Sequence, residues 1–224
     1  MMEFYLAPYS RASSVHWLLE EIGEPYEVKL VDIRGVVPDA YKKIQAHKKV
    51  PALVDDGIVI TERAAITLYL TEKYPNKAIA PIAGDPLRAR FLSNLIYCDS
   101  VIDPALALHG LKIHYKPSSV SFGAYEDMLA HIEDVLSQNP YVLGDEFTAI
   151  DTQWGSAIHW GIEVFPVFPK KKVFTDYLQR VTARAAFTKA MASEAQWMKK
   201  LTPPKSTGQT QNQTENEEKG AEAH

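Results

Sequence analysis

The sequence has little cysteine, no excess of positive charge and no long apolar run, and each shortage excludes a class of protein. Cys98 is the single cysteine in 224 residues, which excludes an intramolecular disulfide, a CxxC redox pair and a thiolate-cage zinc site. The formal net charge of -4 gives no broad basic surface for nucleic acid. No apolar run approaches the roughly 20 residues of a membrane span, and MMEFYLAPYS lacks the basic and apolar regions of a signal peptide. We therefore expect a cytoplasmic chain without nucleic-acid or membrane partners.

The first third of the chain carries the pattern of a small α/β module. Apolar runs at residues 3–6 and 25–33 predict two strands, and the helical pattern between them ends at Gly23. A short crossover of this kind makes the two strands parallel. Two further apolar runs flank Asp55-Asp56-Gly57, a hairpin signal, and a helix follows from Thr61 until Pro75 ends it. Residues 1–75 are thus predicted to fold as βαβαββα, with a mixed four-stranded sheet.

The rest of the chain is predicted to be helical. Residues 76–86 are rich in Pro, Gly and Ala and are typical of a linker. Helical periodicity then recurs at 87–112, 123–138, 149–164, 171–182 and 185–199, which predicts an all-α domain over 87–202. Residues 203–224 contain no aliphatic side chain larger than alanine and no aromatic one, so we expect a disordered tail.

Hydroxyl groups crowd the start of the first helix, in YLAPYSRASSVHWLLEEIG at residues 5–23. A helix N-terminus needs one capping hydroxyl, and Ser10 or Ser13 can supply it. A second hydroxyl at this position can stabilise an anion such as a thiolate, because the helix dipole is positive there. The pattern alone allows both interpretations.

Two further sites have a structural and a functional interpretation. Val50-Pro51 is either an edge or turn proline, or a cis-proline that leaves the Val50 backbone available to an extended peptide. Thr61-Glu62-Arg63 either caps a helix or forms an anion site where free N–H groups bind a ligand carboxylate and Glu62 accepts from a ligand ammonium. A third motif, Thr148 with Asp151 in FTAID, is interpreted as a structural capping box worth about 1 kcal/mol.

The order and spacing of these motifs resemble the cytosolic glutathione transferases over residues 2–200. KKVPALVDDG followed by TERAAITLYL resembles the glutathione-binding segment of that family, and FTAID resembles its capping box. YSRASSVHWLLEEIG is similar to bacterial and fungal members that use serine, related to the theta and tau groups. The resemblance implies a thioredoxin-like first domain, a homodimer, glutathione as co-substrate without a metal, and conjugation of glutathione to small hydrophobic electrophiles.

The same resemblance assigns roles to individual residues. Ser10 takes the position of the catalytic serine, with Tyr5 and Tyr9 as rival hydroxyls. The Val50 backbone would pair with the cysteinyl residue of glutathione beside a cis Pro51. Lys49 would contact the glycyl carboxylate and Glu62 the γ-glutamyl group.

Position 63 departs from the pattern, because the family usually has serine there and this chain has Arg63. An arginine can bind the γ-glutamyl carboxylate bidentately, or it can pair with Glu62 and block the site.

Cys98 falls inside a helix and is expected to be buried, which argues against the cysteine-type members.

The electrophile pocket is expected at the first helix of the second domain, opposite Ser10. Its candidate residues are Tyr9, Tyr97, Val101, Leu108 and His109, with Trp154 or Trp160, all of which equally fit a core. The seven histidines show no metal-ligand spacing. Other functions stay open on the same scaffold: a glutathione-dependent peroxidase, isomerase or dehalogenase, or a non-catalytic binding protein.

Overall fold

The computed structural model describes residues 1–201 and begins with a four-stranded mixed sheet. The strands are β1 (Met2–Leu6), β2 (Glu27–Leu30), β3 (Ala52–Asp55) and β4 (Ile58–Thr61), in the order β2-β1-β3-β4. β1 pairs in parallel with β2, and β3 pairs antiparallel with both β1 and β4. The predicted topology of this sheet is confirmed.

Three helices accompany the sheet: α1 (Ala12–Ile22), α2 (Asp39–Lys42) and α3 (Arg63–Lys73). Gly23 ends α1 as predicted, with a φ of 72° and its N–H donated to the carbonyl of Leu19 at 2.9 Å. A left-handed residue at this position satisfies a carbonyl of the last turn, and glycine adopts that conformation without a Cβ clash.

The second part of the described chain is helical, as predicted. It contains α4 (Arg88–Tyr97), α5 (Asp103–Gly110), α6 (Tyr125–Gln138), α7 (Ala149–His159), α8 (Lys172–Thr182) and α9 (Ala185–Leu201). A π-helical turn, Cys98–Ile102, joins α4 to α5, and a second one, Trp160–Val164, follows α7. The predicted tail at 203–224 and residue 202 lie outside the described residues.

Helices α4 and α5 and the turn between them form one continuous helix, Arg88–Gly110. Within residues 1–201 it is the one helix long and apolar enough to cross a membrane by length and composition, with a mean hydropathy of 1.2. The expectation that no apolar segment approaches a membrane span is therefore corrected for this helix, by length and composition only. Cys98, Ile102 and Ala105 of this helix are buried in the core, whereas only 33% of its most apolar stretch is buried.

Helix α1 lies between the sheet and the helical domain. It packs on β1 and α3 on one side and on α7 and α9 on the other. Trp17 is 1% exposed and contacts the rings of Phe147 and Phe187. Because α1 is covered on both sides, the polar groups at its N-terminus must find their partners inside the protein.

The FTAID capping box is present and is structural. The Thr148 N–H donates to Asp151 at 2.8 Å, and the Thr148 hydroxyl donates to the same carboxylate at 3.1 Å. The buried Asp151 also accepts from the Val142 N–H and the Tyr177 hydroxyl. Burial raises the pKa of Asp151, against these four hydrogen bonds that favour the carboxylate. The motif therefore fixes the start of α7 in the core.

Candidate functional site

The turn before α1 is strained at Tyr9. Tyr9 has a φ of 54°, and its N–H donates to the carboxylate of Glu194 in α9 at 2.7 Å. A left-handed conformation costs a non-glycine residue roughly 1–2 kcal/mol. Strain of this kind concentrates at functional sites, where the surrounding structure holds it.

The three serines of this segment have different partners. Ser10 Oγ donates to the carbonyl of Ala7 at 2.7 Å and accepts the N–H of Ala12 at 3.1 Å. Ser13 Oγ donates to Glu194 at 2.7 Å, and Ser14 Oγ donates to the carbonyl of Arg11 at 3.1 Å. Ser10 lies one residue before the N-cap Arg11 and its hydroxyl accepts the first N–H of α1, and it is also the serine of this segment that lines the cavity described below.

The two rival tyrosines lie in different places. The Tyr5 hydroxyl donates to Glu3 at 2.9 Å, and its ring packs on Tyr41 at a centroid distance of 5.3 Å. Tyr9 lines the cavity together with Ser10. Of the two tyrosines, only Tyr9 is therefore placed beside the candidate site.

The Val50–Pro51 bond is cis, as expected. The ladder between β1 and β3 begins with Tyr5 opposite Ala52, one residue after the proline. Within residues 1–201 no backbone hydrogen bond involves Val50. Lys49 is exposed, and its carbonyl accepts from the Tyr41 hydroxyl at 2.5 Å. The Val50 backbone therefore retains its capacity to pair with an extended ligand.

Glu62 is the second strained residue at the site. Its φ is 71°, and its carbonyl accepts the N–H of Ile66 at 2.9 Å in the first turn of α3. The side chain is exposed, and its carboxylate has no hydrogen bond to any other described residue. This carboxylate is therefore available to a cationic ligand group.

Arg63 is turned toward the helical domain. Its side chain is 6% exposed, its Nε donates to Asp99 Oδ1 at 2.7 Å, and its Nη2 donates to the same oxygen. Asp99 Oδ2 accepts the N–H of Ala64 at 3.1 Å. The pairing with Glu62, one of the two alternatives for this residue, is absent from the described structure.

A second arginine extends this contact into a cluster that links the two domains. Arg11 donates to Asp103 from Nε at 3.1 Å and from Nη2 at 2.8 Å, and Arg63 Nη2 lies 3.9 Å from the same carboxylate. We call Arg11, Arg63, Asp99 and Asp103 the interdomain ion cluster. Because two carboxylates face two guanidinium groups, the charges of the cluster balance.

A cavity of about 1250 Å³ lies between the two domains. Tyr9, Ser10 and Arg63 line it from the sheet domain. The helical domain contributes a mostly apolar and aromatic wall that includes Leu106, Ala107, His109, Tyr125, Ala157, Trp160, Phe165 and Val167. The rings of His109 and Tyr125 are stacked, with centroids 3.7 Å apart.

Some of the residues predicted for the electrophile pocket are in this wall and others are not. Tyr9, His109 and Trp160 line the cavity, whereas Tyr97, Val101, Leu108 and Trp154 are not among its lining residues. Tyr97 packs on His131 and Trp154 instead, and Trp154 is fully buried. The π turn at Cys98–Ile102 shifts the helical phase, so a face extended at 3.6 residues per turn from Tyr97 misses Asp103 and Leu106.

Cys98 is buried, as expected, and is not a nucleophile. Burial raises the pKa of the Cys98 thiol to about 12, although the nearby Arg63 charge acts in the opposite direction. The thiol is therefore protonated at neutral pH. Over residues 1–201, no group of three or more His, Cys, Asp or Glu side chains is arranged to hold a metal ion.

Comparison with known proteins places the chain in a family. Residues 2–78 match the family model described as glutathione S-transferase, N-terminal domain. A glutathione S-transferase of Triticum aestivum is 46% identical over 155 residues, 65% of this chain and 70% of the relative. Glutathione S-transferase 3 of Schizosaccharomyces pombe is 29% identical over 190 residues, 76% and 74% of the two chains. The chain belongs to the cytosolic glutathione S-transferase family.

Other matches indicate the range of the family. A probable maleylacetoacetate isomerase of Caenorhabditis elegans is 34% identical over 137 residues, 56% of this chain and 62% of the relative. The crystal structure of a glutathione transferase from Methylococcus capsulatus has a TM-score of 0.74 at 26% identity, covering 88% of this chain and 100% of that one. A glutathione transferase homologue from Sulfitobacter, with bound glutathione, has a TM-score of 0.63 at 26% identity, covering 88% and 99%.

The burial of Arg63 generates a prediction about stability. We expect Arg63→Met and Asp99→Leu each to lower the free energy of unfolding by about 3 kcal/mol, because each leaves an uncompensated charge at the domain boundary. The double variant is expected to recover most of that loss, since it removes both charges together. Denaturant unfolding of the four proteins measures this cycle. Additive losses in the double variant would show that Arg63 and Asp99 do not act as a pair.

Proposed function

We propose that this protein conjugates the thiolate of glutathione to small hydrophobic electrophiles. The observation that carries the proposal is the cavity between the domains. A helix N-terminus with the Ser10 hydroxyl forms one wall, and apolar and aromatic side chains form the opposite wall. Such a cavity holds a polar nucleophile and an apolar acceptor side by side, which is the proximity that conjugation requires.

The chemistry at Ser10 is the stabilisation of an anion. A free thiol has a pKa near 8.5, so only a few per cent is thiolate at pH 7. One pKa unit corresponds to about 1.4 kcal/mol, and a hydrogen bond to a charged group supplies about 1.5–3 kcal/mol. Donation by Ser10 at the positive end of α1 therefore suffices to lower the thiol pKa by a unit or more.

Groups of the sheet domain that lie outside the cavity lining, at Lys49, Val50 and Glu62, support glutathione as the thiol. The Val50 backbone next to the cis bond suits the cysteinyl residue, and the free Glu62 carboxylate suits the γ-glutamyl ammonium. Lys49 is exposed and suits the glycyl carboxylate. Because Asp99 engages both the Arg63 guanidinium and the Ala64 N–H, we assign the γ-glutamyl carboxylate to the remaining backbone N–H groups at the start of α3.

One prediction of the proposed function concerns glutathione binding. Calorimetric titration is expected to show wild-type binding in the micromolar to low-millimolar range and about tenfold weaker binding for Glu62→Gln, which loses a charge-assisted hydrogen bond. Glu72→Gln, an exposed change on the same helix α3, is the matched control and is expected to bind like wild type. Arg63→Ser is expected to lose stability without gaining affinity. No binding by wild type, with binding restored in Arg63→Ser, would instead indicate a non-catalytic family member.

Another prediction identifies the catalytic hydroxyl. Ser10→Ala is expected to lower kcat/KM with a chloronitrobenzene electrophile by about 10- to 100-fold, the equivalent of one charge-assisted hydrogen bond. Ser14→Ala is the control, because it removes a neighbouring hydroxyl that donates to the Arg11 carbonyl. Its kcat/KM is expected to stay within about twofold of wild type. A large loss in Tyr9→Phe and none in Ser10→Ala would transfer the role to Tyr9.

A glutathione-dependent isomerase is the second candidate, favoured by the similarity to the nematode maleylacetoacetate isomerase. Both reactions need the thiolate, but isomerisation returns it unchanged whereas conjugation consumes it. Measurement of free thiol during turnover distinguishes them: stoichiometric loss of thiol supports conjugation, and turnover without loss supports isomerisation.

We further propose a homodimer in which the sheet domain of one subunit contacts the helical domain of the other. Two exposed apolar patches, one on each domain, support this proposal. Ile58 and Val59 of β4 are 60% and 47% exposed, and Leu92 and Ile96 of α4 are 36% and 53% exposed. Patches of this kind mark protein interfaces, and the low burial of the Arg88–Gly110 helix has the same explanation.

The dimer prediction is tested by sedimentation equilibrium. Wild type is expected to sediment as a dimer, and Ile96→Lys as a monomer, because a lysine placed in an apolar interface loses its hydration. Val36→Lys is the control, since Val36 is 92% exposed on a loop of the sheet domain. A monomeric wild type, or a dimer that persists in Ile96→Lys and Ile58→Lys, would contradict this interface.

A further inference from the structure

A buried carboxylate from the last described helix meets the candidate active-site turn. Glu194 in α9 is 0% exposed, although it lies about 180 residues from the turn in sequence. Its Oε2 accepts the Tyr9 N–H at 2.7 Å and the Ser13 hydroxyl at 2.7 Å. Its Oε1 lies 2.9 Å from Nδ1 of His16. Every one of these contacts is to the turn or to α1.

These contacts hold two consecutive backbone N–H groups. The Tyr9 N–H is held by Glu194 directly. The Ser10 N–H donates to Ser13 Oγ at 3.3 Å, and that hydroxyl in turn donates to Glu194. Because Glu194 binds the first N–H directly and the second through the Ser13 hydroxyl, the peptide planes on either side of Tyr9 are fixed. The left-handed φ of Tyr9 and the direction of the Ser10 side chain follow from those planes.

The third contact secures Glu194 from the side of α1. His16 is 0% exposed, packs against Trp197 of α9, and uses Nδ1 for Glu194. Among the described residues its Nε2 has no hydrogen-bond partner, and Glu20 Oε1 is 3.9 Å away. Glu20 is itself occupied by the Tyr26 hydroxyl at 2.6 Å and by Lys189 at 2.5 Å. Among residues 1–201, the one side-chain hydrogen bond of His16 is therefore the bond to Glu194.

We infer that Glu194 is a positioning residue for catalysis: it holds the Tyr9–Ser10 turn in the geometry that places Ser10 in the cavity wall. The inference rests on the proposed function for its kinetic consequence. Neither Glu194 nor His16 lines the cavity, so both act through the turn. A buried carboxylate behind the turn would disfavour a thiolate in front of it, because like charges repel. Its contribution is therefore geometric.

A geometric role makes a distinctive prediction for the isosteric variant. In Glu194→Gln, the amide oxygen accepts from the Tyr9 N–H and the Ser13 hydroxyl, and the amide NH₂ donates to His16 Nδ1 in its neutral form. We expect kcat within threefold of wild type. In Glu194→Ala both donors lose their acceptor, and we expect kcat to fall about 10- to 100-fold. The pKa of the bound glutathione thiol, read from thiolate absorbance, is expected to rise by about one unit.

Matched controls separate positioning from general destabilisation. Glu20→Gln weakens the other polar contacts between α1 and α9 without touching the turn, and its kcat is expected to be unchanged. Ser13→Ala and Ser14→Ala remove neighbouring buried hydroxyls, of which only the first contacts Glu194. Ser13→Ala is expected to lower kcat and Ser14→Ala is not. This serine pair decides the question if Glu194→Ala does not fold.

Amide hydrogen exchange gives a readout that needs no substrate. The Tyr9 amide is expected to be protected in wild type and Glu194→Gln and to exchange rapidly in Glu194→Ala. Wild-type kcat and thiol pKa in a folded Glu194→Ala would overturn the inference, as would an equal kcat loss in Glu194→Gln and Glu194→Ala. A wild type without glutathione turnover would overturn the proposed function, and a Tyr9 amide that stays protected in Glu194→Ala would overturn the positioning role.

Discussion

The burial of α1 on both sides is the constraint on which the rest of this structure depends. A helix between a sheet and a helical domain gains apolar contact on two faces, but its N-terminal polar groups lose access to water. Each buried donor left without a partner costs about 1–3 kcal/mol. The Ser10 hydroxyl accepts one donor, the Ala12 N–H, and the Glu194 carboxylate accepts two more from the far end of the described chain. The same solution places a strained turn at the edge of the cavity.

Polar contacts join the two domains around the cavity, and apolar ones join them behind it. Arg63 with Asp99, Arg11 with Asp103 and Glu194 with Tyr9 all cross the domain boundary near the cavity. Gln153 adds a buried contact to Thr67 at 2.8 Å, and Trp17 supplies the apolar packing. Arg63 therefore has a structural role of its own at the position where the family resemblance led us to expect serine. Its guanidinium pairs with Asp99 across the domain boundary, so we expect any effect on a bound ligand to act through the shape of the cavity.

The elements of the fold could be predicted from the sequence because their signals are local. Alternation, helical periodicity, Gly23 and the Asp56-Gly57 turn each act within a few residues, and the predicted elements match the structure closely. The capping box was predicted for the same reason. The partners of Arg63 and Tyr9 could not be predicted, because Asp99 and Glu194 lie 36 and 185 residues away and belong to no motif. The cavity wall was predicted only in part, since a π turn shifts the phase of α5 and no periodicity reveals it.

Ser10 accepts a hydrogen bond from the first turn of α1 and is proposed to stabilise a thiolate, and these two roles are compatible. The hydrogen bond from the Ala12 N–H fixes the position of Ser10 Oγ and occupies one of its lone pairs. It leaves the hydroxyl proton free to turn. That proton now goes to the Ala7 carbonyl, a neutral acceptor. Hydrogen bonds to an ionised acceptor are roughly twice as strong as those to a neutral one, so the proposed thiolate would compete successfully for the proton. The hydroxyl that stabilises the helix can therefore also stabilise the nucleophile, with rotation of a single O–H bond and no movement of the backbone.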